Sequence, residues 1–394
     1  MDIVIVSEFC GDFSQTDTDR FLYLAKLLSK EQGNQIEIVT STFLHERKEQ
    51  RRKPKADWPF MITFIEEPGY KTNICLQRFR SHYKWGRNVI AYLKKRKKPD
   101  RIYCAVPSLT GPNLVAKYCE ENRIRFIVDI QDLWPEAFQM IVNIPVISDL
   151  VFMPFRHLAD GVYRRADVVC GVSETYVNRA LKVNEKNNKG NTVFLGTDLS
   201  VFDRFAEENC VRNKTKNEIR LAYCGTLGSS YDLTCVIDAL AILKDSHIRF
   251  IVMGDGPRTE EFMDYAKKKG VKAEFTGRVP YDQMCGILKS CDITVNPITH
   301  NAAQSIINKH ADYAASGLPV LSTQECEEYR KLVEEYQMGY NCRNNDAEDL
   351  AKKLKILIDD PELRERMGKN ARRCAEERFD RKNSYHVLVK AITA

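Results

Sequence analysis

The chain has 394 residues, a length typical of two domains. Hydrophobic residues make up 43% and charged residues 29%, which excludes a disordered or fibrous chain. The formal net charge of +6 is unevenly placed: residues 46–98 hold 16 Lys and Arg against 5 Asp and Glu, whereas residues 201–394 are balanced. The two halves are therefore expected to meet different partners.

Neither the cysteines nor the apolar runs indicate an exported or membrane-spanning protein. The 13 cysteines are scattered without a Cys-x-x-Cys pair, so we expect free thiols in a reducing cytoplasm. No run reaches the ~18 apolar residues of a spanning helix, and the first residues lack a secretion signal. The seven histidines show no ligand spacing, and Asp17-Thr18-Asp19 is interpreted as a helix cap, so no metal is expected.

Apolar runs alternate with amphipathic segments through the first half of the chain. Residues 3–6 predict a strand, residues 21–28 a helix with one apolar face, and residues 36–40 a second strand. The later strands of this half are predicted at 101–105, 125–129, 166–171 and 191–195. Their continuous apolar character is typical of a parallel sheet that is covered by helices on both faces.

A second alternating series follows a polar stretch, residues 203–218, which is interpreted as a linker. Its strands are predicted at 219–224, 248–253, 273–276, 292–297 and 318–321, and Asn345 and Glu348 have the spacing of a capping box for the helices that follow. The fold class is therefore predicted as α/β, with two tandem Rossmann-like, doubly wound domains facing across a cleft. We expect domains at 1–200 and 201–378, with a C-terminal helix in 379–394 that returns to the first domain.

The segment 305–320 is the most informative local pattern. It follows a predicted strand, and it predicts a helix that begins at the carboxyl edge of the sheet and ends at Gly317. The backbone amides of the first turn, with Lys309, would suit a diphosphate. Asp312, one turn further, is placed to accept hydrogen bonds from sugar hydroxyls.

This segment resembles the donor-binding segment of the retaining GT-B glycosyltransferases of family 4. In that family a Glu, seven residues and a second Glu precede Gly-x-Pro-Val; here Gln304 and Asp312 stand at the two Glu positions, and 317–320 keeps the Gly-x-Pro-Val end. Four further stretches resemble family segments in the same order, namely 129–136, 196–202, 254–257 and 275–280. The resemblance is to bacterial transferases that build capsular or O-antigen polysaccharide.

The resemblance implies a hexosyl- or N-acetylhexosaminyl-transferase that moves a sugar from a UDP- or GDP-sugar to a polyprenyl-diphosphate-linked saccharide with retention. It implies an acceptor domain in 1–200, a donor domain in 201–378, and no cofactor or metal. The catalytic candidates are Asp132, as a base or orienting group on the acceptor side, Lys309 and Gln304. The donor-binding candidates are Gly225, Thr226, Gly254, Arg278, Val279, Ser305, Ile306, Lys309 and Asp312. The candidates in the first loop and on the acceptor side are Glu8, Gly11 and Asp129.

The sequence also departs from the family pattern. Gln304 lacks the charge of the family Glu, and Thr226 and 229–230 stand where the family has an Arg and Lys pair. Lys309, Arg278 and the helix amides are then expected to carry more of the phosphate charge. Two other functions stay open, a nucleotide-sugar epimerase of the same fold and a catalytically inactive nucleotide-binding scaffold subunit.

Several candidate residues also have a purely structural interpretation. Asp129 and Asp132 could cap a helix above a packed Trp134, and His310 is interpreted as a surface or packed histidine. The Gly254-x-Gly256 pair lacks the third glycine of a dinucleotide fingerprint, which argues against NAD.

The basic region 46–98 interleaves Lys and Arg with Trp, Tyr and Leu. This composition favours an anionic membrane surface, which places the protein peripherally on the cytoplasmic face of the plasma membrane. The alternative is a solvated helix face with cations at its C-terminus. Nucleic acid is not expected, because no recognised reading module accompanies the charge.

Overall fold

The computed structural model describes the chain except residues 15–18, 52–56, 74, 137–146, 212–213, 216, 245–246, 301 and 303–305, and it leaves the side chains of 147–150 undescribed. The chain forms two compact units. The first consists of Met1–Val193 and Tyr385–Ala394, and the second of Phe194–Ser384. These boundaries lie seven residues before and six residues after the predicted ones, which follow residues 200 and 378.

The first unit is a parallel sheet covered by helices. Its elements are β1 (Asp2–Val6), α1 (Arg20–Leu28), β2 (Gln35–Ser41), β3 (Phe43–Leu44), β4 (Glu49–Gln50), β5 (Met61–Ile65), α2 (Leu76–Lys95), β6 (Arg101–Val106), α3 (Thr110–Asn122), β7 (Arg125–Ile130), α4 (Ile147–Arg165), β8 (Val168–Gly171), α5 (Glu174–Leu181) and β9 (Asn191–Thr192). Seven strands pair in the order β5-β2-β1-β6-β7-β8-β9, and every pair is parallel. The strand order reverses beside β1, so ligand-binding loops are expected outside the carboxyl ends of β1 and β6.

The second unit repeats this plan. Its elements are α6 (Leu199–Glu208), β10 (Ile219–Cys224), α7 (Leu233–Leu243), β11 (Ile248–Met253), α8 (Thr259–Lys268), β12 (Ala273–Gly277), α9 (Tyr281–Lys289), β13 (Ile293–Asn296), α10 (Asn308–Ser316), β14 (Val320–Ser322), α11 (Glu327–Tyr336), β15 (Gly339–Asn341), α12 (Ala347–Asp359), α13 (Pro361–Cys374), a π-helical turn (Ala375–Phe379) and α14 (Arg381–Ser384). Six parallel strands pair in the order β12-β11-β10-β13-β14-β15. The order reverses between β10 and β13, the two strands from which the candidate residues Gly225 and Lys309 follow.

The last helix, α15 (His386–Thr393), belongs to the first unit. Its Leu388 and Ile392 are fully buried in one hydrophobic cluster with Ile3 of β1 and Leu24 of α1. Burying four such side chains stabilises the unit by several kcal/mol, at about 1.5–3 kcal/mol for each. The end of the chain therefore completes the core around its first strand.

The predicted parallel, doubly wound α/β fold is confirmed, two local predictions are corrected, and one edge strand is an addition. The stretch 203–218, predicted as a linker, begins inside α6, whose apolar face places Phe202 and Phe205 in the second unit's core. Asp346, not Asn345, caps α12 by accepting a hydrogen bond from the Asp349 N–H at 2.8 Å. The edge strand β5 is not predicted, although four of its five residues are apolar; in the structure most of them are half-exposed.

Asp19 caps α1 and accepts hydrogen bonds from the N–H groups of Phe21 and Leu22 at 2.7 and 3.1 Å. This confirms the cap interpretation for Asp19, whereas Asp17 and Thr18 lie outside the described residues. All 13 cysteines are described, and all are free thiols. None of the helices in the described part of the chain has the length and apolar character needed to cross a bilayer.

Candidate functional site

Three strand ends converge at the carboxyl edge of the second unit's sheet. The Gly225 N–H after β10 donates to Met253 O, and the Gly254 N–H after β11 donates to Gly277 O, each at 2.9 Å. Gly254 has φ +150°, and a Cβ there would lie 1.9 Å from Gly225 O. Only glycine permits this approach of backbone to backbone, so two predicted donor residues, Gly225 and Gly254, form one tight edge.

Lys309, in the first turn of α10, points at this edge. Its side chain is 7% exposed, and a Cβ on Gly225 would lie 3.0 Å from its Nζ atom. Nζ lies 3.8 Å from the ring centre of Tyr231 and 4.6 Å from that of Tyr223, and it has no hydrogen-bond partner among the described residues. Burial lowers the pKa of Lys309 to about 7. A buried amine without an anion, beside a glycine turn, is suited to receive one.

Asp312 lies one turn further along α10 and already has a protein partner. Tyr281 Oη donates to Asp312 Oδ1 at 2.8 Å, and the Thr197 hydroxyl lies 2.8 Å from the same Tyr281 oxygen. Burial raises the pKa of Asp312 to about 6. This network fixes the orientation of the carboxyl group that is predicted to accept hydrogen bonds from sugar hydroxyls.

His310 is fully buried and positions the start of α10. Its Nδ1 accepts a hydrogen bond from the Ile307 N–H at 2.9 Å, so in the neutral ring the proton is on Nε2, which lies 3.1 Å from the Asn296 amide. Its ring centre lies 3.8 Å from that of Tyr329, and burial lowers its pKa to about 3. His310 is therefore a neutral histidine that packs in the core.

The other predicted donor residues are spread around the strand ends. Ile306 is 1% exposed and packs in the core, and Val279 packs against the same core. Thr226 is exposed, and its carbonyl accepts a hydrogen bond from the Tyr223 hydroxyl at 2.8 Å. Arg278 is exposed just after β12. The predicted residues Gln304 and Ser305 lie outside the described residues.

In the first unit, Asp129 is a core residue. It is fully buried at the end of β7, and its two oxygens accept from Nε and Nη2 of Arg20 at 2.9 and 3.1 Å. Gln131 Nε2 donates to the same carboxylate at 2.9 Å. The helix-cap interpretation of Asp129 is therefore wrong, because both carboxylate oxygens are used inside the unit by Arg20 and Gln131.

Asp132 is half-buried in the loop after β7. Its Oδ1 accepts from the Leu133 N–H at 2.9 Å, and its Oδ2 accepts from Trp134 Nε1 at 3.1 Å. Burial raises the pKa of Asp132. The guanidinium of Arg78 lies 4.6 Å from the centre of the Trp134 ring. The proposed acceptor-side carboxyl is thus held in place by its own segment.

Glu8 and Gly11 occupy the loop after β1. Glu8 is 2% exposed and accepts a hydrogen bond from the Ser108 hydroxyl, and burial, with the neighbouring Glu67 carboxylate, raises its pKa well above the usual value. The Gly11 N–H donates to Asp19 Oδ2 at 3.1 Å, and the Gly11 carbonyl accepts from Arg51. Both residues therefore interact with the interior of the unit.

Sequence reasoning missed the groups that surround Glu8. Glu67 follows β5, His82 is on α2, Arg78 is one turn before it, and Ser108 follows β6, and all four are buried. These residues are far from Glu8 in the sequence. Helical periodicity also does not tell whether a polar side chain is buried or exposed. The sequence gives one signal: Glu8 and Ser108 follow β1 and β6, the two strands between which the strand order reverses.

Comparisons with known proteins agree with this architecture. Residues 205–374 match the family model described as glycosyl transferases group 1. An uncharacterized glycosyltransferase of Methanocaldococcus jannaschii is 26% identical over 243 residues, which are 57% of this chain and 57% of that protein. The putative colanic acid biosynthesis glycosyl transferase WcaI of Escherichia coli K12 is 24% identical over 261 residues, 62% of each chain.

The crystal structure of Anabaena HepE in complex with UDP superposes on this chain with a TM-score of 0.71, and the match covers 99% of each chain. Because the sequence identity is 15%, the similarity is one of fold. The chain spans 57% and 62% of the two curated relatives. The family match lies within the second unit, which holds the convergent strand ends and Lys309. The chain therefore has the two-unit GT-B fold that it shares with HepE, and its residues 205–374 are similar to a glycosyl transferases group 1 domain.

Proposed function

We propose that this protein transfers a sugar, with retention, from a UDP- or GDP-sugar to a polyprenyl-diphosphate-linked saccharide in bacterial surface polysaccharide biosynthesis. The observation that carries the donor half of the proposal is Lys309, a buried amine with no partner for Nζ among the described residues, beside Gly225 at the switch point. HepE, which shares the fold, binds UDP in its crystal structure. WcaI, a relative by sequence, is named for colanic acid biosynthesis.

A glycosyl transfer needs a stabilised leaving diphosphate, a stabilised oxocarbenium-like sugar and an aligned acceptor hydroxyl. Lys309 and the amides at the start of α10 would bind the diphosphate, and the exposed Arg278 would approach it from the end of β12. Gln304 would contact the donor sugar, as the corresponding family Glu does. Asp132 would orient or deprotonate the acceptor, and the burial that raises its pKa makes it a stronger base.

A surface of the first unit supports a membrane-bound acceptor. On α2 an exposed stripe of alternating apolar and basic side chains runs along one face at helical spacing: Leu76, Arg80, Tyr83, Arg87 and Lys94. Leu76 is 88% exposed and Tyr83 50%. Apolar side chains interleaved with cations on one helix face are typical of helices that lie on anionic bilayers.

Helix α4 adds to this surface. Val151 and Met153 are 56% and 57% exposed, and the ring of Phe155 lies 5.3 Å from that of Phe79 on α2. Exposed apolar side chains on two adjacent helices form a patch of the kind that marks a protein or membrane contact. We infer that α2 and α4 dock the protein on the cytoplasmic leaflet, where the lipid-linked acceptor is held.

A donor and acceptor screen tests the proposal. The purified protein would be incubated with UDP- and GDP-sugars, with and without polyprenyl-diphosphate saccharides, and products would be followed by mass spectrometry and NMR. We expect acceptor-dependent transfer and a product with the anomeric configuration of the donor. The Lys309→Met variant should lose most of this activity.

Three results would contradict the proposal. Interconversion of donor sugars without an acceptor would identify an epimerase, and tight nucleotide binding without turnover on any acceptor would identify a scaffold subunit. Transfer with inverted configuration would refute retention alone.

A further inference from the structure

We propose that Glu8, Glu67 and His82 of the first unit bind one divalent cation of the first transition row, such as Zn²⁺ or Mn²⁺. The three side chains come from three elements: Glu8 follows β1, Glu67 follows β5, and His82 is on α2. They are 2%, 1% and 2% exposed. One carboxylate oxygen of each Glu and one ring nitrogen of His82 lie within 4.8 Å of one another.

Two of the ligand atoms have no partner. Glu8 Oε1 and His82 Nε2 lie 3.8 Å apart, and neither has a hydrogen bond among the described residues. Leaving such buried atoms unsatisfied costs about 1–3 kcal/mol for each. Since metal–nitrogen and metal–oxygen bonds in protein sites are about 2.0–2.2 Å long, one cation between the two atoms would satisfy both.

The remaining carboxylate oxygens are oriented by hydroxyl groups. Glu8 Oε2 accepts from the Ser108 hydroxyl. Glu67 Oε2 accepts from Ser41 Oγ at 2.5 Å, and Glu67 Oε1 accepts from Ser81 Oγ at 2.7 Å. Ligating carboxylates in metal sites are characteristically held by hydrogen bonds of this kind. The carboxylate groups are therefore fixed in orientation before any ligand binds.

The nearby cations do not replace a metal. Arg78 and Arg51 act on these carboxylates electrostatically. Neither donates a hydrogen bond to Glu8 Oε1, which is without a partner in the described part of the chain. One imidazole nitrogen with two carboxylate oxygens suits Zn²⁺ or Mn²⁺, whereas Mg²⁺ and Ca²⁺ prefer oxygen ligands alone.

The cation would brace the loop that holds Asp132. The His82 ring packs on the Trp134 ring with centres 6.0 Å apart and planes 23° from parallel. Trp134 in turn donates to Asp132. A ligand on His82 would thus restrain the segment through Trp134. This inference does not depend on the proposed activity, because it concerns binding of the metal itself.

The test uses the full chain, stripped with EDTA and titrated separately with Zn²⁺, Mn²⁺ and Mg²⁺ by calorimetry, with metal content measured by mass spectrometry after desalting. We expect one Zn²⁺ or Mn²⁺ for each chain, a rise in Tm on binding, and no comparable effect of Mg²⁺. Co²⁺ in the same site should give a visible absorption band that Zn²⁺ displaces. His82→Gln and Glu67→Gln should weaken binding at least tenfold.

The matched control is His157→Gln, which removes an exposed histidine of the same unit and should leave affinity unchanged. Should the ligand variants fail to fold, Ser81→Ala removes one orienting hydroxyl and should weaken binding about 10–100-fold. Wild-type protein that retains no metal and shows no change in Tm would overturn the proposal. A trapped water would then bridge Glu8 Oε1 and His82 Nε2. Equal metal affinity of the wild type and a folded His82→Gln variant would also overturn it, because the metal would then bind only at the protein surface.

Discussion

Among single residues, two buried charged side chains have contrasting surroundings, Arg20 in the first unit and Lys309 in the second. Arg20 and Asp129 form a bidentate pair in which each charge satisfies the other. Lys309 is equally enclosed but faces two aromatic rings and no carboxylate among the described residues. A charge that is paired within the protein contributes to stability or is neutral, whereas an unpaired one is retained where it serves a ligand.

Nucleotide affinity should depend on pH through Lys309. Its pKa of about 7 in the free protein, against an ordinary 10.5, means that above pH 7 the amine is mostly neutral and must take up a proton to pair with a phosphate. The Kd for UDP should therefore rise by up to about tenfold for each pH unit above 7, until the pKa of the complex is reached. Calorimetry between pH 7 and 9 in buffers of different ionisation enthalpy would measure both the Kd and the proton uptake.

Lys309→Met is the control for this pH dependence. UDP affinity should be weaker, by about 1–3 kcal/mol at pH 7, and nearly independent of pH, because the titrating amine is gone. Proton uptake by the variant equal to that of wild type would assign the titration to another group.

The same variant should stabilise the ligand-free protein at low pH. The unfolded chain binds the lysine proton more tightly than the folded chain, so this group lowers stability below pH 7, and stability rises with pH between about 7 and 10.5. The Tm of Lys309→Met should exceed that of wild type at pH 6 and approach it at pH 9. A lower Tm at pH 6 would show that the charged amine has a stabilising partner.

Asp129→Ala should destabilise the first unit by about 3–5 kcal/mol, because Arg20 would remain buried without its partner. Urea denaturation of the purified variant measures this cost, and Arg20→Met/Asp129→Leu, which removes both charges, should recover part of it. Wild-type stability of Asp129→Ala together with lost transfer would instead return Asp129 to the acceptor site.

At the element scale, glycines allow the strand ends of the second unit to meet. Gly254 and Gly270 both have positive φ, at +150° and +69°, but their surroundings differ. A Cβ on Gly254 would lie 1.9 Å from Gly225 O, whereas nothing lies within 4 Å of a Cβ on Gly270. The close approach of two backbones, rather than the torsion angle alone, distinguishes the edge that carries Lys309.

Gly254→Ala should therefore cost clearly more than Gly270→Ala. For Gly270 only the backbone conformation is strained, at about 1–2 kcal/mol, whereas Gly254→Ala must also separate β10 from β11. Urea denaturation of the two variants measures the difference. Equal costs would show that the strand ends can move apart freely.

At the scale of the whole molecule, the basic excess of residues 46–98 divides into internal and exposed charges. Arg96 binds Asp2 and Glu37 at 2.8 and 3.1 Å, and Arg51 donates to backbone carbonyls, including that of Ser41 at 2.8 Å. Lys94, Lys95, Lys97 and Lys98 are exposed. Only the exposed cations can meet a membrane, so the local net charge overstates the docking surface.

Replacing Lys94, Lys95, Lys97 and Lys98 with Gln should weaken binding to vesicles that contain phosphatidylserine at least tenfold at low salt, since each lysine near such a surface contributes about 1 kcal/mol. Vesicle co-sedimentation measures this, and UDP affinity should stay unchanged. The control replaces four exposed lysines of the second unit, Lys267, Lys268, Lys272 and Lys352, with Gln. Equal loss in both variants would indicate net charge rather than a docking surface.

Local sequence patterns were sufficient to predict the fold class and most of the elements. Continuous apolar runs and helical periodicity are local properties, and in alternation they permit few arrangements other than two parallel sheets. The resemblance over 305–320 directed attention to Lys309 for the same reason, since a strand followed by a helix places the first turn at the sheet edge. The strands β3, β4 and β15, of two or three residues each, are too short to show a pattern, and the edge strand β5 was also not predicted.

Which charged side chains are buried, and what they contact, follows from how the elements pack. This packing paired Asp129 with Arg20, left Lys309 Nζ without a partner among the described residues, and directed Arg96 inward. It also brought Glu8, Glu67 and His82 together from three elements. Burial and pairing depend on contacts between residues far apart in the chain, and these contacts leave no periodic signal in the sequence, because their cost and gain arise only when the elements pack.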